Sequence, residues 1–262
     1  MELQLNNKVV MVAASSEGIG FGIAEALAQE GARLSIASRS PDKIDKAAEM
    51  LRSKYGIDCR GHLMDAADAE SIAAWTEATL ADYGEVYGLV VNAGGPPPGN
   101  FDDFDDTAWA GAYELTLMSA VRMIRGVLPA MRRQNGGAIL TVTSSSIKEP
   151  LDNLLLSNVF RSGVVALVKS LSNELAAEGI RVNNLVPGRI DTQRVRTLDA
   201  AIAKKNGVAI EEEQQRQFGD IPVGPDPKDT DSEDTDIDSE TIPQDSDPGK
   251  DSEVDTGEDN SY

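Results

Sequence analysis

Short apolar runs alternate along the chain with longer stretches in which apolar residues recur at helical spacing. The first run, Lys8 to Ala14, is almost continuously apolar, as expected of a parallel strand covered on both faces. From Ile19 to Glu30 the apolar residues follow the helical period, and Gly31 is well placed to end that helix. The order of these two patterns predicts a strand followed directly by a helix.

The same alternation continues to about residue 186 and predicts six strands. They span Lys8 to Ala14, Arg33 to Ala37, Asp58 to Met64, Tyr87 to Asn92, Gly137 to Thr143 and Ile180 to Val186. The helices between them span Ile19 to Glu30, Pro41 to Lys54, Ala69 to Tyr83, about Thr107 to Arg133, and Asn153 to Glu178. Pro129 should bend or break the fourth helix near its end. This βαβ repetition predicts an α/β fold of the Rossmann type, a doubly wound parallel sheet whose strand carboxyl ends share one edge.

The pattern stops near the C-terminus. Residues 225–262 hold fifteen acidic residues against two lysines, out of a formal net charge of −20 for the chain. A segment with so little apolar surface cannot build a core. We therefore expect one Rossmann-type domain over residues 1–224 and a disordered acidic tail over 225–262, whose simplest role is to keep the protein in solution.

Composition excludes several classes of protein. The single cysteine, Cys59, rules out an intramolecular disulfide and argues against a metal site, and the single histidine, His62, argues against a hydrolase triad. The N-terminus has no leader pattern, and no segment approaches the roughly 20 apolar residues of a membrane span. We expect a cytoplasmic protein that binds neither membrane nor, lacking a concentrated basic face, nucleic acid.

The turn from Ala13 to Gly20 has features that suit a pyrophosphate. Gly18 and Gly20 allow the backbone to approach a ligand, and Ser15 and Ser16 can donate hydroxyl hydrogen bonds. The turn leads straight into a helix, whose N-terminal dipole attracts an anion. Paired glycines also occur in ordinary turns, so this signal needs support from elsewhere in the chain.

That turn resembles the TGxxxGxG motif of the short-chain dehydrogenases/reductases. It departs from the motif at Ala13 and Ala14, where Thr and Gly are usual, and it carries Glu17, a carboxylate that would repel a pyrophosphate unless it points to solvent.

Further segments match the family in the expected order. Val91 to Gly95 resembles its NNAG segment, Asp65 stands where the family places an aspartate near the adenine, and Pro187 to Thr192 resembles its PG…T segment. The matches extend from Lys8 to Thr192, and their combination is specific. The cofactor-binding residues expected from the resemblance, together with the end of the second strand, are Ala13, Ser15, Ser16, Gly18, Ile19, Gly20, Ser38, Arg39, Asp65, Asn92, Ala93, Gly94, Pro187, Gly188, Ile190 and Thr192.

The end of the second strand bears on the choice of cofactor. NAD enzymes usually carry an acidic residue there for the ribose, whereas an arginine can bind the 2′-phosphate of NADP. Here Ser38 and Arg39 stand at this place, and no acid follows until Asp42. The sequence predicts that NADP(H) is preferred over NAD(H); the alternative is that Arg39 is an ordinary solvated charge.

The resemblance is weakest at the catalytic residues. The family uses a Tyr-x-x-x-Lys pair for acid–base chemistry, a serine that orients the carbonyl and an asparagine that supports a proton relay. In this chain Ser157 and Arg161 stand at the tyrosine and lysine positions and Thr116 at the asparagine position; only Ser144 matches. Arg161 could hold a ribose hydroxyl of the cofactor or stabilise a developing alkoxide, but it cannot exchange a proton near neutral pH. Lys148 is a candidate proton donor if desolvation beside Arg161 lowers its pKa, and otherwise a solvent-facing loop lysine.

The segment Asn92 to Phe101, with Ser144 to Lys148 and Ser157 to Arg161, resembles a divergent subgroup near the β-ketoacyl-carrier-protein reductases. The resemblance implies an NADP(H)-dependent oxidoreductase that interconverts a small-molecule ketone, with a 3-oxoacyl thioester as one candidate, and a secondary alcohol. The alternative is a dinucleotide-binding protein with little catalysis, acting as a sensor or partner subunit.

Family members normally end with another helix and a seventh strand. Here Phe218 to Gly224 resembles the approach to that strand, and the acidic tail follows at once. We therefore expect the C-terminal edge strand to be missing. The resemblance also implies a homo-oligomer formed through the two long helices, Thr107 to Arg133 and Asn153 to Glu178.

Overall fold

The computed structural model of the chain describes residues 3–219. Residues up to Gln214 pack into one compact unit. The predicted tail, 225–262, lies outside the described residues, so its disorder stays a prediction. Within residues 3–219 no helix is long and apolar enough to cross a bilayer.

Six parallel strands form a single sheet in the order β3-β2-β1-β4-β5-β6. The strands are β1 (Val9–Ala13), β2 (Arg33–Ser38), β3 (Cys59–Leu63), β4 (Gly88–Val91), β5 (Gly137–Val142) and β6 (Ile180–Leu185). The strand order reverses between β1 and β4, and such a switch point opens a crevice at the carboxyl edge of a doubly wound sheet. The prediction of a Rossmann-type fold is confirmed. β6 is an edge strand, and no further strand follows it among residues 186–219.

Eight α-helices lie in the described part of the chain. They are α1 (Gly18–Gln29), α2 (Pro41–Tyr55), α3 (Ala69–Tyr83), α4 (Asp106–Tyr113), α5 (Ser119–Arg133), α6 (Leu155–Glu174), α7 (Gln193–Asn206) and α8 (Ile210–Gly219). Gly31 has a φ of +76° directly after α1, as its predicted role at the helix end requires.

The core consists of two layers, one on each face of the sheet. Consecutive residues of β1 enter opposite layers: Met11 packs with Trp75 and Ile139, whereas Val12 packs with Ile36 and other residues of the α1–α2 side. All five residues of β1 are buried. This double burial explains why the strand reads as a continuous apolar run instead of an alternating one.

The helix predicted from Thr107 to Arg133 differs in detail from the observed one. It is divided by a π-helical turn, Glu114–Met118, and it continues as α5 through Pro129 to Arg133. Pro129 therefore does not break the helix. The proline removes one backbone hydrogen bond, but its neighbours Val127, Ala130 and Met131 are buried, and this packing holds the last turn in place.

Candidate active site

The turn between β1 and α1 closes around one glycine. A Cβ atom at Gly20 would lie 2.2 Å from the carbonyl oxygen of Ala14 and 2.9 Å from Nδ2 of Asn92, so only glycine fits. The Asn92 amide donates to the same carbonyl at 3.2 Å, which ties the end of β4 to the turn. Gly18 has a φ of +61°, the left-handed conformation that glycine tolerates. The first N–H groups of α1 are thereby held at the sheet edge, where they can bind an anion.

Neighbouring residues of this turn differ in whether they are buried or accessible to a ligand. Ser15 is fully buried; its hydroxyl donates to the Val12 carbonyl at 2.7 Å and accepts from the Ala37 amide at 3.2 Å. It therefore joins β1 to β2 and is not free to bind a ligand. Ala13 is also fully buried, within β1. Ser16, in contrast, lines the cleft described next.

A cleft of about 450 Å³ runs along the carboxyl edge of the sheet. Its walls come from the turn after β1, the ends of β2 to β5 and the start of α7. The predicted cofactor residues that it brings together are Ser16, Gly18, Ile19, Gly20, Ser38, Arg39, Asp65, Asn92, Ala93, Gly94 and Thr192. The predicted residues Pro187, Gly188 and Ile190 lie on the loop after β6, outside the cleft lining.

The end of the cleft beside β2 is basic. Arg39 and Lys43 both line it, and Arg39 forms no ion pair with a described residue. Glu17 pairs with Lys43, Nζ to Oε2 at 2.8 Å, and both side chains are 57% exposed. The carboxylate that looked unfavourable beside a pyrophosphate is therefore at the solvent-facing rim, where Lys43 compensates its charge. Ser40, the N-cap of α2, also lines this end of the cleft, and its side chain accepts no hydrogen bond from the first N–H groups of that helix.

The start of α7 forms another part of the cleft wall. Thr192 caps this helix, its Oγ1 accepting from the Val195 amide at 3.4 Å. The methyl carbon of Thr192 lies 3.5 Å from the position that a Cβ of Gly18 would take. The PG…T segment and the phosphate turn, far apart in sequence, therefore meet across the cleft. Asp65 lines the cleft at the end of β3, and its Oδ1 accepts from the Ala67 amide at 2.9 Å.

Arg161 connects α6 to the end of β5. Its Nη1 donates to the carbonyls of Val142 and Thr143 at 3.0 and 3.3 Å, and its Nε donates to Ser157 Oγ at 3.1 Å. Burial, and then the positive charge of Arg194, lower the pKa of Arg161 to about 10. Arg161 remains charged at neutral pH and lines the cleft. Ser157 does not line the cleft, and its hydroxyl is buried against the Arg161 guanidinium.

None of the three other predicted catalytic residues, Ser144, Lys148 and Thr116, is among the residues that line the cleft. Ser144 follows β5 and is half-buried, and its Oγ accepts from the Ser146 amide at 3.2 Å. Lys148 is exposed at the end of the short turn that begins with Ser145. Thr116 sits in the π-helical turn; its Oγ1 is buried without a hydrogen-bond partner and lines a water-sized space beside Arg161.

Sequence reasoning did not include several residues that line the cleft. Lys43 and Arg194 add two cations, and Thr143 and Gln193 add polar groups. Lys43 could have been found, because it lies in the first turn of the helix that follows the basic strand end. Arg194 lies two residues after Thr192, and no local signal shows that its side chain turns back toward the cleft.

These residues fit a dinucleotide: a glycine-dependent turn at a helix start, the basic residues beside β2 and the polar start of α7 line one cleft at the switch point of a Rossmann-type sheet. The sequence matches the short chain dehydrogenase family over residues 8–203. The chain therefore belongs to the short-chain dehydrogenase/reductase family, whose members are dinucleotide-binding oxidoreductases.

Relatives and solved structures agree. The chain is 35% identical over 189 residues to dehydrogenase/reductase SDR family member 4 of Sus scrofa, covering 72% of this chain and 67% of that protein. It is similar to L-sorbose reductase of Gluconobacter frateurii, solved with NADPH and L-sorbose, with a TM-score of 0.78, 32% identity and coverage of 83% and 82%. It is also similar to a variant of the actinorhodin polyketide ketoreductase solved with NADPH, with a TM-score of 0.78, 29% identity and coverage of 82% and 83%.

Proposed function

We propose that this protein is an NADP(H)-dependent oxidoreductase that interconverts a ketone and a secondary alcohol, with a 3-oxoacyl thioester as one candidate substrate. The observation that carries the proposal is the single cleft in which the glycine-dependent turn, the basic end beside β2 and the Arg161 guanidinium meet. A reduced nicotinamide supplies a hydride when it is bound; with one proton from solvent or protein, the ketone becomes the alcohol.

Within this proposal, Arg161 has the main electrostatic role. Reduction places negative charge on the carbonyl oxygen, and a fixed guanidinium in a half-buried site stabilises that charge better than water does. Its bonds to the carbonyls at the end of β5 hold it in place before reaction. Ser144 orients the carbonyl. Arg161 cannot donate the proton, so a water in the cleft or Lys148 supplies it.

The preference for NADP(H) rests on the charges beside β2. Arg39 forms no ion pair with a described residue, Lys43 pairs with Glu17, and Ser40 at the N-terminus of α2 lines the same cleft. The 2′-phosphate of NADP(H) would place a negative charge beside these cations, whereas the ribose hydroxyl of NAD(H) carries no charge.

Titration of the purified protein with NADPH and NADH, followed by fluorescence or melting temperature, tests this proposal. We expect NADPH to bind more tightly, and Arg39→Ala to weaken NADPH about tenfold or more while leaving NADH nearly unchanged. Lys46→Ala is the matched control, since Lys46 also lies on α2 but does not line the cleft. Equal affinities in the wild type would refute the preference, and binding of neither nucleotide would refute the enzyme proposal.

A second candidate function is dinucleotide binding with little catalysis, as a sensor or partner subunit. The observation in its favour is that the Ser157 hydroxyl is buried against Arg161 and does not line the cleft. The double variant Ser157→Tyr, Arg161→Lys separates the two candidates. Ketone reduction that appears only in the variant would indicate a lost active site, whereas reduction by the wild type would support the oxidoreductase.

A further inference from the structure

Two guanidinium groups that line the cleft have no acidic partner within residues 3–219. Neither Arg161 nor Arg194 forms an ion pair with a described residue, although both line the cleft. Among the described residues, Arg194 donates only to the carbonyl oxygen of Pro96, from Nη2 at 3.3 Å. Nε of Arg161 donates to Ser157, and Nη1 donates to the two carbonyls at the end of β5. No described residue accepts a hydrogen bond from its Nη2.

Arg194 is held at this place by the loop that follows β4. A Cβ atom at Gly95 would lie 2.2 Å from its Nη2 and 2.8 Å from its Cζ, so the guanidinium lies directly on the backbone of this glycine. A long, charged side chain that lies over a loop instead of extending into solvent has lost hydration. Burial accordingly lowers the pKa of Arg194, and burial followed by the charge of Arg194 lowers the pKa of Arg161.

This arrangement leaves one positive charge more than the proposed reaction needs. The alkoxide that develops on the substrate carries one negative charge, which Arg161 can stabilise. The second guanidinium then repels the first unless the substrate brings a permanent charge of its own. Partly buried cations without a counter-ion are costly, and a carboxylate bound by an arginine fork removes that cost.

We propose that the substrate is an oxo acid, whose carboxylate binds Arg194 while its ketone oxygen lies toward Arg161. This inference rests on the proposed function and adds the class of substrate to it. The anion that competes for Arg194 is the pyrophosphate of the cofactor, because Thr192, at the start of the same helix, lies against Gly18. The two anions are distinguished by whether Arg194 affects the binding of cofactor or of substrate.

The test measures the two kinds of binding separately, by calorimetry. First, NADPH is titrated into wild type, Arg194→Met and Arg196→Met. Arg196 is the matched control, since it lies on the same helix, is exposed and pairs with Asp191. Then acetoacetate and levulinate, each beside its uncharged methyl ester, are titrated into the three proteins saturated with NADP⁺. Gly95→Ala is a second test variant, because its methyl group displaces the Arg194 guanidinium without removing its charge.

We expect at least one acid to bind wild type about tenfold or more tightly than its ester. That difference should disappear in Arg194→Met, shrink in Gly95→Ala and with added salt, and persist in Arg196→Met. No preference for either acid in wild type, or a preference that survives Arg194→Met, would overturn the proposal. A tenfold loss of NADPH affinity in Arg194→Met would assign Arg194 to the pyrophosphate and would overturn it too. If wild type bound neither NADPH nor NADH, the proposed function itself would fail.

Discussion

At the scale of single residues, the phosphate turn requires that position 20 has no Cβ atom. Ala14 stands where the family has glycine, and it adopts a φ of +48°, a left-handed conformation that costs a side-chain-bearing residue about 1 kcal/mol or more. The chain tolerates this strain at Ala14 because a methyl group is small and the Asn92 amide fixes the carbonyl. It has no such tolerance at Gly20, where a methyl group would collide with that carbonyl.

We therefore expect Gly20→Ala to weaken NADPH binding at least tenfold, because the turn must open to admit the methyl group. Gly22→Ala is the control: it lies on the same helix, and a Cβ there meets nothing within 4 Å. This control should keep cofactor affinity and raise stability by about 0.5–1 kcal/mol, the usual gain of Gly to Ala in a helix. Calorimetry and thermal melting measure both, and equal affinities in the two variants would contradict this account.

A second residue-scale prediction concerns the single histidine. His62 has a buried Nε2 that no group in the described part of the chain hydrogen-bonds, 3.8 Å from Asp82 Oδ2. Burial lowers the pKa of His62, with Asp82 opposing and Arg60 adding to the shift. The unfolded chain then binds a proton before the folded one does, so the free energy of unfolding should fall as pH drops below about 6.5.

Thermal melts of wild type and His62→Gln over the range from about pH 8 to about pH 5 test this dependence. The variant should lose less stability than wild type across that range, since its amide does not titrate. Parallel pH profiles would show that His62 gains its proton equally in both states.

At the scale of elements, one buried ion pair holds α7 to the loop after β6. The carboxylate of Asp199 is 1% exposed and contacts Nη2 of Arg189, and Gln214 Nε2 donates to it at 3.4 Å. Because Thr192 and Arg194 enter the cleft from the start of α7, this contact positions one wall of the proposed site.

Asp199→Ala should destabilise α7 by about 3 kcal/mol, the cost of removing one partner of a buried pair. Hydrogen exchange of the α7 amides measures this loss directly, and NADPH affinity should fall with it. Asp191→Ala, which removes the exposed partner of Arg196, should leave both nearly unchanged. Unaltered exchange in Asp199→Ala would mean that packing alone holds the helix.

The strands and helices also show how much of the fold the local hydrophobic pattern predicts. Each strand lies within one residue of its predicted limits. The clearest signals are the almost wholly apolar runs of β1 and β4, which are buried on both faces of the sheet. The π-helical turn at Glu114–Met118 was not predicted, and neither was the passage of α5 through Pro129. Both depend on how this long segment packs against α3 and α6. The hydrophobic period of the segment itself does not predict those contacts.

At the scale of the whole molecule, the long helices leave apolar surface uncovered. Phe160 of α6 makes ring contacts with Trp109 and Tyr113 of α4, at centroid distances of 5.8 and 6.1 Å. Beside them Val159 is 44% and Tyr113 40% exposed. Such a contiguous patch fits the expected homo-oligomer, which remains a prediction.

We expect analytical ultracentrifugation to find an oligomer that Val159→Glu dissociates or weakens strongly, since each new carboxylate would be buried at the interface. Met50→Glu is the control, because Met50 is also an exposed apolar residue but lies on α2. A monomeric wild type, or dissociation by Met50→Glu, would show that the α4–α6 face is not the interface.

The sequence by itself determined the order of strands and helices, the glycine-dependent turn and the family resemblance. These follow from hydrophobic period and from glycine position, which are properties of short segments. It also revealed the substitutions at positions 157 and 161.

Only the tertiary structure decided which of the predicted residues share the cleft. It turned Ser15 inward, set Glu17 against Lys43, and brought Arg194 from a distant helix onto Gly95, in the cleft that Arg161 also lines. The reason is physical: the direction and partners of a side chain depend on segments far away in sequence, and these are fixed only when the sheet and its helices pack together.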